Sequence, residues 1–235
     1  MPTYPVVATS QGSGELYRSW LINMGITPTS LGEGELLALL ANSASMAAPV
    51  GGSAMSPANS VGQNIDRNSI TGNTLAMAGS GTLQMVAVWL NAGSVVSNFN
   101  FIAGTTAATG PTHAWMGLYQ GPAATPLCVC VSADATSAAI GASTVNTYAV
   151  AASNVSSSAT SYTVQTSGIY YVGLLITVST TMPTLQGLAT TLSANTVPPI
   201  LAGSSSTPLT IPPTFPASVS TTITASTISY YTWLT

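Results

Sequence analysis

Three short apolar runs in residues 81–120 constrain the fold more than any other feature of the sequence. They are Thr82–Leu90, Val95–Ile102 and Ala114–Tyr119, and turn residues separate them. Both faces of the first run, read as an extended strand, are mostly apolar: Leu83, Met85, Ala87 and Trp89 on one face, and Val86, Val88 and Leu90 on the other. A strand that is apolar on both faces must be covered on both. We therefore predict a sandwich core on one side and a neighbouring subunit on the other.

The rest of the chain repeats this style, with short β-rich runs between Ser, Thr, Gly and Pro turns. The predicted strands are Ile65–Ile70, Asn73–Ala78, Thr82–Leu90, Val95–Ala103, Ala114–Tyr119, Leu127–Ser132, Asn146–Ala151, Tyr162–Val164, Ile169–Val178, Thr184–Ala189, Ser220–Ala225 and Thr227–Leu234. Their spacing is typical of an antiparallel β-sandwich. Six prolines lie in residues 193–219, so we expect an irregular excursion there rather than the interior of a sheet.

The N-terminal part of the chain predicts a different organisation. Residues 1–42 read as an extended arm followed by two short helices, residues 43–64 as a linker, and residues 65–235 as the β-sandwich body. Glu15–Met24 has helical i,i+4 pairs, and Ser30 with Glu33 fits a capping box before a second helix. Two helices this short need a partner for their apolar faces. We predict that the shell or partner contact uses these side chains: Leu16, Trp20, Leu21, Leu36, Leu37 and Leu40.

Charge is almost absent from the 235 residues. Charged residues make up 3%, Lys does not occur, and the formal net charge is −3. Soluble domains usually carry about 25% charged residues. The charge balance gives no electrostatic footprint for nucleic acid or for an anionic membrane surface. We expect a neutral polar surface that lies largely against other subunits.

Transmembrane and secretory segments are also not predicted. The longest apolar run, Ile169–Val178, is far shorter than the roughly 20 residues that a membrane-spanning helix needs. Residues 1–15 lack the basic start and the continuous apolar stretch of a secretory signal. The sequence therefore predicts a protein made in a cytoplasm and left unprocessed.

Residues able to carry out chemistry are few in the predicted body. His113 is the only histidine, and the one acid near it in sequence is Asp134. A triad with a serine can be imagined, but no Gly-x-Ser-x-Gly motif supports one. We expect His113 to be a turn residue bonded to backbone. We predict no catalytic residue, no cofactor and no metal site.

Cys128 and Cys130 lie two residues apart in the run Leu-Cys-Val-Cys-Val. On a regular strand their side chains would share one face, where a disulfide between them would be strained. Cys-x-Cys without a nearby His cluster is a weak metal signal. We expect both to be small buried apolar residues.

Several aromatic side chains of the body have two possible uses. Trp115, Tyr119, Tyr231 and Trp233 can line a trimer interface or stack on a sugar. In a sandwich, burial in the core or in an interface is the commoner outcome, because each ring has a large area to bury.

A series of turn and strand phrases resembles a known family. They are Gly-Thr-Leu-x-Met from Gly81, Phe-Ile-Ala-Gly-Thr-Thr-Ala-Ala-Thr-Gly-Pro-Thr-His-Ala-Trp-Met-Gly-Leu-Tyr from Phe101, Ser167–Gly173, Thr184–Gly187 and Pro198–Ser204. Together they are similar to a β-sandwich module in virion proteins of tailed phages of actinobacteria, over roughly residues 70–235. The resemblance implies a jelly-roll-like module on the virion surface, often trimeric, in minor tail or capsid decoration proteins. It supplies no catalytic residues, and it does not cover the N-terminal helices.

The resemblance and the composition together favour a structural virion protein. We expect a homotrimeric decoration protein on the capsid surface, whose N-terminal region binds the major capsid protein. The alternative is a minor tail or receptor-binding protein that contacts tail proteins and host glycans. An enzyme acting on envelope polymers and a non-viral carbohydrate-binding domain are weaker hypotheses, the first because the body has so few acids.

Overall fold

The computed structural model of the chain describes residues 57–122, 126–154, 156–189, 199–209 and 222–235. This part of the chain consists of strands and turns, with one short 3-10 helix at Arg67–Ser69. The strands are β1 (Gly62–Gln63), β2 (Gly72–Ala76), β3 (Leu83–Leu90), β4 (Val95–Val96), β5 (Asn98–Ile102), β6 (Thr109–Gln120), β7 (Leu127–Ser132), β8 (Val145–Ser153), β9 (Tyr162–Thr163), β10 (Gly168–Thr181), β11 (Thr184–Ala189), β12 (Ala202–Ser205), β13 (Ile223–Ala225), β14 (Ile228–Tyr230) and β15 (Thr232–Leu234). The prediction of a mainly β, antiparallel fold is confirmed for these residues. The predicted helices and their six contact residues lie outside them.

The strands form one large sheet and two small ones. The large sheet has the order β1-β15-β5-β8-β7-β6-β10-β3-β12-β13, the second is β14-β11-β2, and β4 pairs with β9. All pairs are antiparallel. Strand β8 joins two halves of the large sheet, because residues 145–149 pair with β5 whereas residues 150–153 pair with β7.

The main apolar core lies between two layers, the large sheet and the small sheet β14-β11-β2. It contains Val86 and Val88 of β3, Phe99 and Phe101 of β5, and side chains of β6, β8, β10, β11, β14 and β15, so both layers contribute to it. The buried Tyr230 hydroxyl donates a hydrogen bond of 2.9 Å to the carbonyl of Val172 and ties β14 to β10. Because strands of both layers share this core, the described residues from 57 to 235 pack as a sandwich-like body.

Two segment predictions, one of a strand and one of an irregular excursion, are corrected by the structure. The predicted strand Ile65–Ile70 is instead a loop with a 3-10 turn at Arg67–Ser69, because the Asp66 carboxylate accepts the backbone N–H of Asn68 at 2.9 Å and caps the turn. Part of the proline-rich region is an interior strand instead of an irregular excursion: β12 pairs with β3 on one side and β13 on the other. No proline lies between Pro199 and Pro208, so every N–H of β12 can take part in the ladder.

Residues just before the predicted body also belong to the sheet. The Val61 N–H donates to the Leu234 carbonyl at 2.8 Å, and β1 continues the pairing with β15. Gly62 lies so close to β3 that a Cβ there would be 2.6 Å from Leu90 Cδ2 and 3.3 Å from the Trp89 carbonyl oxygen. The end of the predicted linker is therefore a strand.

Candidate functional site

A second apolar layer covers the face of β3, β6 and β10 that points away from the main core. Its buried members are Leu83, Met85, Trp115, Tyr119, Tyr171, Leu175 and Ile223. The antiparallel register explains the layer, because residues opposite one another share a face: Tyr171 lies opposite both Tyr119 and Ala87. Strand β3 is thus apolar and packed on both faces, as its sequence predicts, but Leu83 and Met85 are buried within the single chain and not by the expected neighbouring subunit. We call this side the outer face.

Glycines form one row of the outer face. Gly173 lies opposite Gly117 and Met85, and Gly203 of β12 lies opposite Met85 on its other side. A Cβ at Gly203 would be 2.6 Å from Ile223 Cγ2, so no larger residue fits there without movement. Glycine in a strand often marks a place where other groups approach the backbone closely. The row lies between two lines of large side chains, one through Trp115 and Leu175 and one through Tyr119 and Tyr171.

Three of the four aromatic side chains selected from the sequence are buried. Trp115 is 7% exposed, Tyr119 is fully buried, and Tyr231 is 1% exposed, whereas Trp233 is half-buried. Trp115 and Tyr119 belong to the outer face, while Tyr231 and Trp233 stack on each other with ring centroids 5.2 Å apart. The structure does not bring the four together. In this protomer the three buried rings pack against the protein and have no free face for a sugar.

His113 and Asp134 are in direct contact, although 21 residues separate them in the sequence. His113 Nδ1 is 2.6 Å from Asp134 Oδ2, and the imidazole ring stacks on Trp115 at 5.1 Å with an interplanar angle of 4°. The expected bond from His113 to backbone is therefore wrong, and the residue lies in β6 rather than in a turn. Asp134 lies in the loop after β7, which brings it to His113. The spacing of the two residues in the sequence did not predict this contact.

Asp134 accepts two further hydrogen bonds. Its Oδ1 accepts the Ala114 N–H at 3.3 Å, and its Oδ2 accepts the Thr136 hydroxyl at 2.9 Å. A carboxylate can only accept, so Nδ1 of His113 donates the proton of this hydrogen bond, and in the neutral imidazole Nε2 is then an acceptor. This is the orientation of a general base, but no described side chain donates a hydroxyl or thiol to Nε2. The pair fixes the loop after β7 to β6.

The two cysteines do not share a face. The register between β6 and β7 shifts at this point: Leu118 lies opposite Cys130, and the next residue, Tyr119, lies opposite Cys128. The extra residue, Val129, makes a β-bulge, which places Cys130 in the main core and Cys128 against the outer layer. The expectation that they lie side by side is corrected, and the expectation that both are buried holds for Cys130 but not for Cys128, which is half-buried; both are free thiols.

Burial keeps both thiols protonated. It raises the pKa of Cys128 to about 12, and it raises the pKa of Cys130 as well. A thiol is a nucleophile or a metal ligand only as the thiolate. A cavity of about 180 Å³ borders this region, and its lining residues are Cys128, Val129, Cys130, Val131, Ala152, Ser153 and Asn154. The described residues contain no cluster of three or more His, Cys, Asp or Glu side chains that could hold a metal ion.

One feature of the outer face was visible in the sequence but was not selected as a contact. Trp89 lies in the same alternating row as Leu83, Met85 and Ala87, yet it is 56% exposed. Its position at the end of the strand, beyond the buried part of the row, decides this exposure.

Within the described ranges, no helix has both the length and the apolar character needed to cross a membrane.

Comparison of the sequence with protein-family models gives no match, and comparison with curated proteins gives none either.

Proposed function

We propose that this protein is a structural virion protein of a tailed phage, most specifically a capsid decoration protein. In this proposal a homotrimer of jelly-roll-like β-sandwich bodies stands on the capsid surface. The N-terminal region, with its predicted pair of helices, binds the major capsid protein. The proposal rests on the resemblance of residues 70–235 to such proteins and on the character of the body.

The observation that carries the proposal is the outer apolar layer, which is buried within the chain over most of its length but reaches the surface at Trp89, 56% exposed. A sandwich needs only one apolar face per sheet, but here the outer face of β3, β6 and β10 has an apolar layer of its own. Side chains at the periphery of the body are mostly neutral, since Asp66, Arg67 and Asp134 are the only described residues with a formal charge. Such a surface suits a protein that functions by contact with other subunits, as a cement on a repeated lattice does.

The histidine–carboxylate pair has a structural use that is consistent with this proposal. The oxygens of Asp134 accept hydrogen bonds from β6 and from its own loop, and the His113 ring packs on Trp115. These contacts account for the pair without a substrate. They would hold the loop after β7 in place at the periphery of the body.

The number of copies per particle tests the proposal. Quantitative mass spectrometry of purified particles should find hundreds of copies, in a fixed ratio to the major capsid protein. A few copies would indicate the alternative, a minor tail or receptor-binding protein, and absence from particles would contradict both.

The same measurement tests the N-terminal attachment in the full-length protein. The double substitution Leu36→Ser and Leu40→Ser should reduce the copies per particle at least tenfold, because it removes apolar side chains from the predicted contact. Ala38→Ser is the matched control in the same predicted helix and should leave the number unchanged. Normal incorporation of the double variant would show that this segment is not the anchor.

A further inference from the structure

The outer apolar layer is buried along most of its length and open at one end. Leu83, Leu175, Tyr119 and Tyr171 are at most 4% exposed. At the other end of β3, Trp89 is 56% exposed, and Leu201, just before β12, is 50% exposed. The layer therefore continues to the protein surface as an apolar patch.

The exposed side chains are neighbours on one face. Ala87 N–H donates to the Leu201 carbonyl at 2.8 Å, which places Leu201 opposite Ala87, and Ile169 lies opposite Trp89. Ala87 and Ile169 are half-buried and pack against the outer layer. We call these four residues the Trp89 patch: Ala87, Trp89, Ile169 and Leu201.

The Trp89 ring is held in place before any partner arrives. Its Nε1–H donates to Asn91 Oδ1 at 3.2 Å. The turn that carries Asn91 is in turn fixed, because the Ala92 N–H donates to Ser167 Oγ at 2.9 Å. An exposed tryptophan with a restrained side chain loses little conformational entropy on binding. Uncharged Asn91 and Ser167 border the patch, as a polar rim borders the apolar centre of an interface.

The charge distribution limits what the patch can bind. The described charged residues lie outside β3, β10 and β12, at Asp66, Arg67 and Asp134. A partner that brought charges to this surface would lose their hydration and find no opposite charge. A second copy of this chain meets the requirement, because only 3% of its residues are charged and the same neutral patch would face it.

We propose that the Trp89 patch is a contact surface between copies of this protein, with Trp89 at its centre. Large aromatic side chains supply most of the binding energy in many interfaces, and Trp is the most enriched of them. The inference rests on the proposed function for the expectation of a trimer. It deepens that function by assigning the residues at which the copies meet.

The full-length protein tests the inference by size-exclusion chromatography with light scattering over a range of concentrations. The wild type should form an oligomer, and Trp89→Ala should raise its dissociation constant at least tenfold, with Leu201→Asn acting in the same direction. Leu127→Ala is the matched control, because Leu127 is 61% exposed but lies in β7, outside the patch. At concentrations low enough to dissociate the wild type, thermal melting of each variant should match the wild type, since these side chains are already exposed in the protomer.

Three results would overturn the inference: a wild type that is monomeric at all concentrations, a Trp89→Ala variant that associates as tightly as the wild type, or a Leu127→Ala variant that dissociates equally. If Trp89→Ala stays oligomeric but loses binding on a glycan array, the patch holds a neutral saccharide instead. The copy number in particles is measured separately, so a decoration protein whose copies meet elsewhere can be distinguished from a protein that is absent from heads.

Discussion

Asp134 is the residue that links two elements which the sequence keeps apart. It is half-exposed, with 28% of its side chain accessible, yet its two oxygens accept hydrogen bonds from His113, Ala114 and Thr136. Hydrogen bonds to a carboxylate are stronger than those between neutral groups. In a body with so few charges, this one carboxylate helps to fix a loop that Ala135 also ties to β6, because the Ala135 N–H donates to the Ala114 carbonyl at 2.9 Å.

Gln84 is the residue whose environment fits it least. It is 1% exposed on the main-core face of β3, and neither Nε2 nor Oε1 has a hydrogen-bond partner. Leaving a buried amide unpaired costs about 1–3 kcal/mol. We predict that Gln84→Met, which nearly keeps the shape, stabilises the protein by about 1–2 kcal/mol.

Thermal or denaturant unfolding measures this change. The matched control is Gln120→Met in β6, where the amide Nε2 donates to Thr166 Oγ1 at 2.9 Å, so that substitution should be neutral or destabilising. A lower free energy of unfolding for Gln84→Met would mean that the amide has a partner in solution, such as an ordered water.

At the scale of elements, the bounds of two strands were predicted to the residue, whereas irregular features were missed. The predicted bounds of Leu127–Ser132 and Thr184–Ala189 agree with β7 and β11. The bulge within β7 was missed, because Leu-Cys-Val-Cys-Val is apolar throughout and shows no change of period. Strand β12 was missed because its residues, Ala-Gly-Ser-Ser, have low β propensity, and its pairing with β3 stabilises it instead.

Gly187 lets β11 and β14 approach each other. A Cβ at this position would be 2.7 Å from Tyr230 Cα and 2.9 Å from the Tyr231 backbone nitrogen, and these backbone atoms cannot rotate away. We predict that Gly187→Ala lowers the free energy of unfolding by about 1–3 kcal/mol. Gly168→Ala, in β10, is the control, because a Cβ there would have no heavy atom within 4 Å. Equal melting temperatures for the two variants would contradict the prediction.

At the scale of the whole molecule, the two apolar layers are what the sequence predicts most directly. Alternation in β3 indicated that both faces would be covered, and the main core and the outer layer cover them. The candidate site was less predictable. Exposure at the end of a row depends on which strands lie beside it, so Trp89 was not selected from the sequence while the buried Trp115 and Tyr119 were.

The same burial predicts how the whole body responds to alkaline pH. Burial raises the pKa of Cys128 from 9.0 to about 12 and the pKa of Tyr148 from 10.0 to about 12. It also raises the pKa of Tyr162 to about 12 and that of the fully buried Tyr230 well above 10.0. All of these groups are neutral when protonated, so the folded state favours the protonated form.

The sign of the pH dependence follows from proton uptake. Between about pH 9 and 12 the unfolded chain releases protons that the folded body retains, so the unfolded state binds fewer protons and the free energy of unfolding falls as pH rises. We expect a nearly constant contribution from these groups below pH 9 and a steep loss of melting temperature above it. Calorimetry across this range measures the loss, and the tyrosinate absorbance of Tyr148, Tyr162 and Tyr230 should appear together with unfolding rather than before it. Ionisation of these three tyrosines well below the unfolding pH would contradict the burial on which the main core depends.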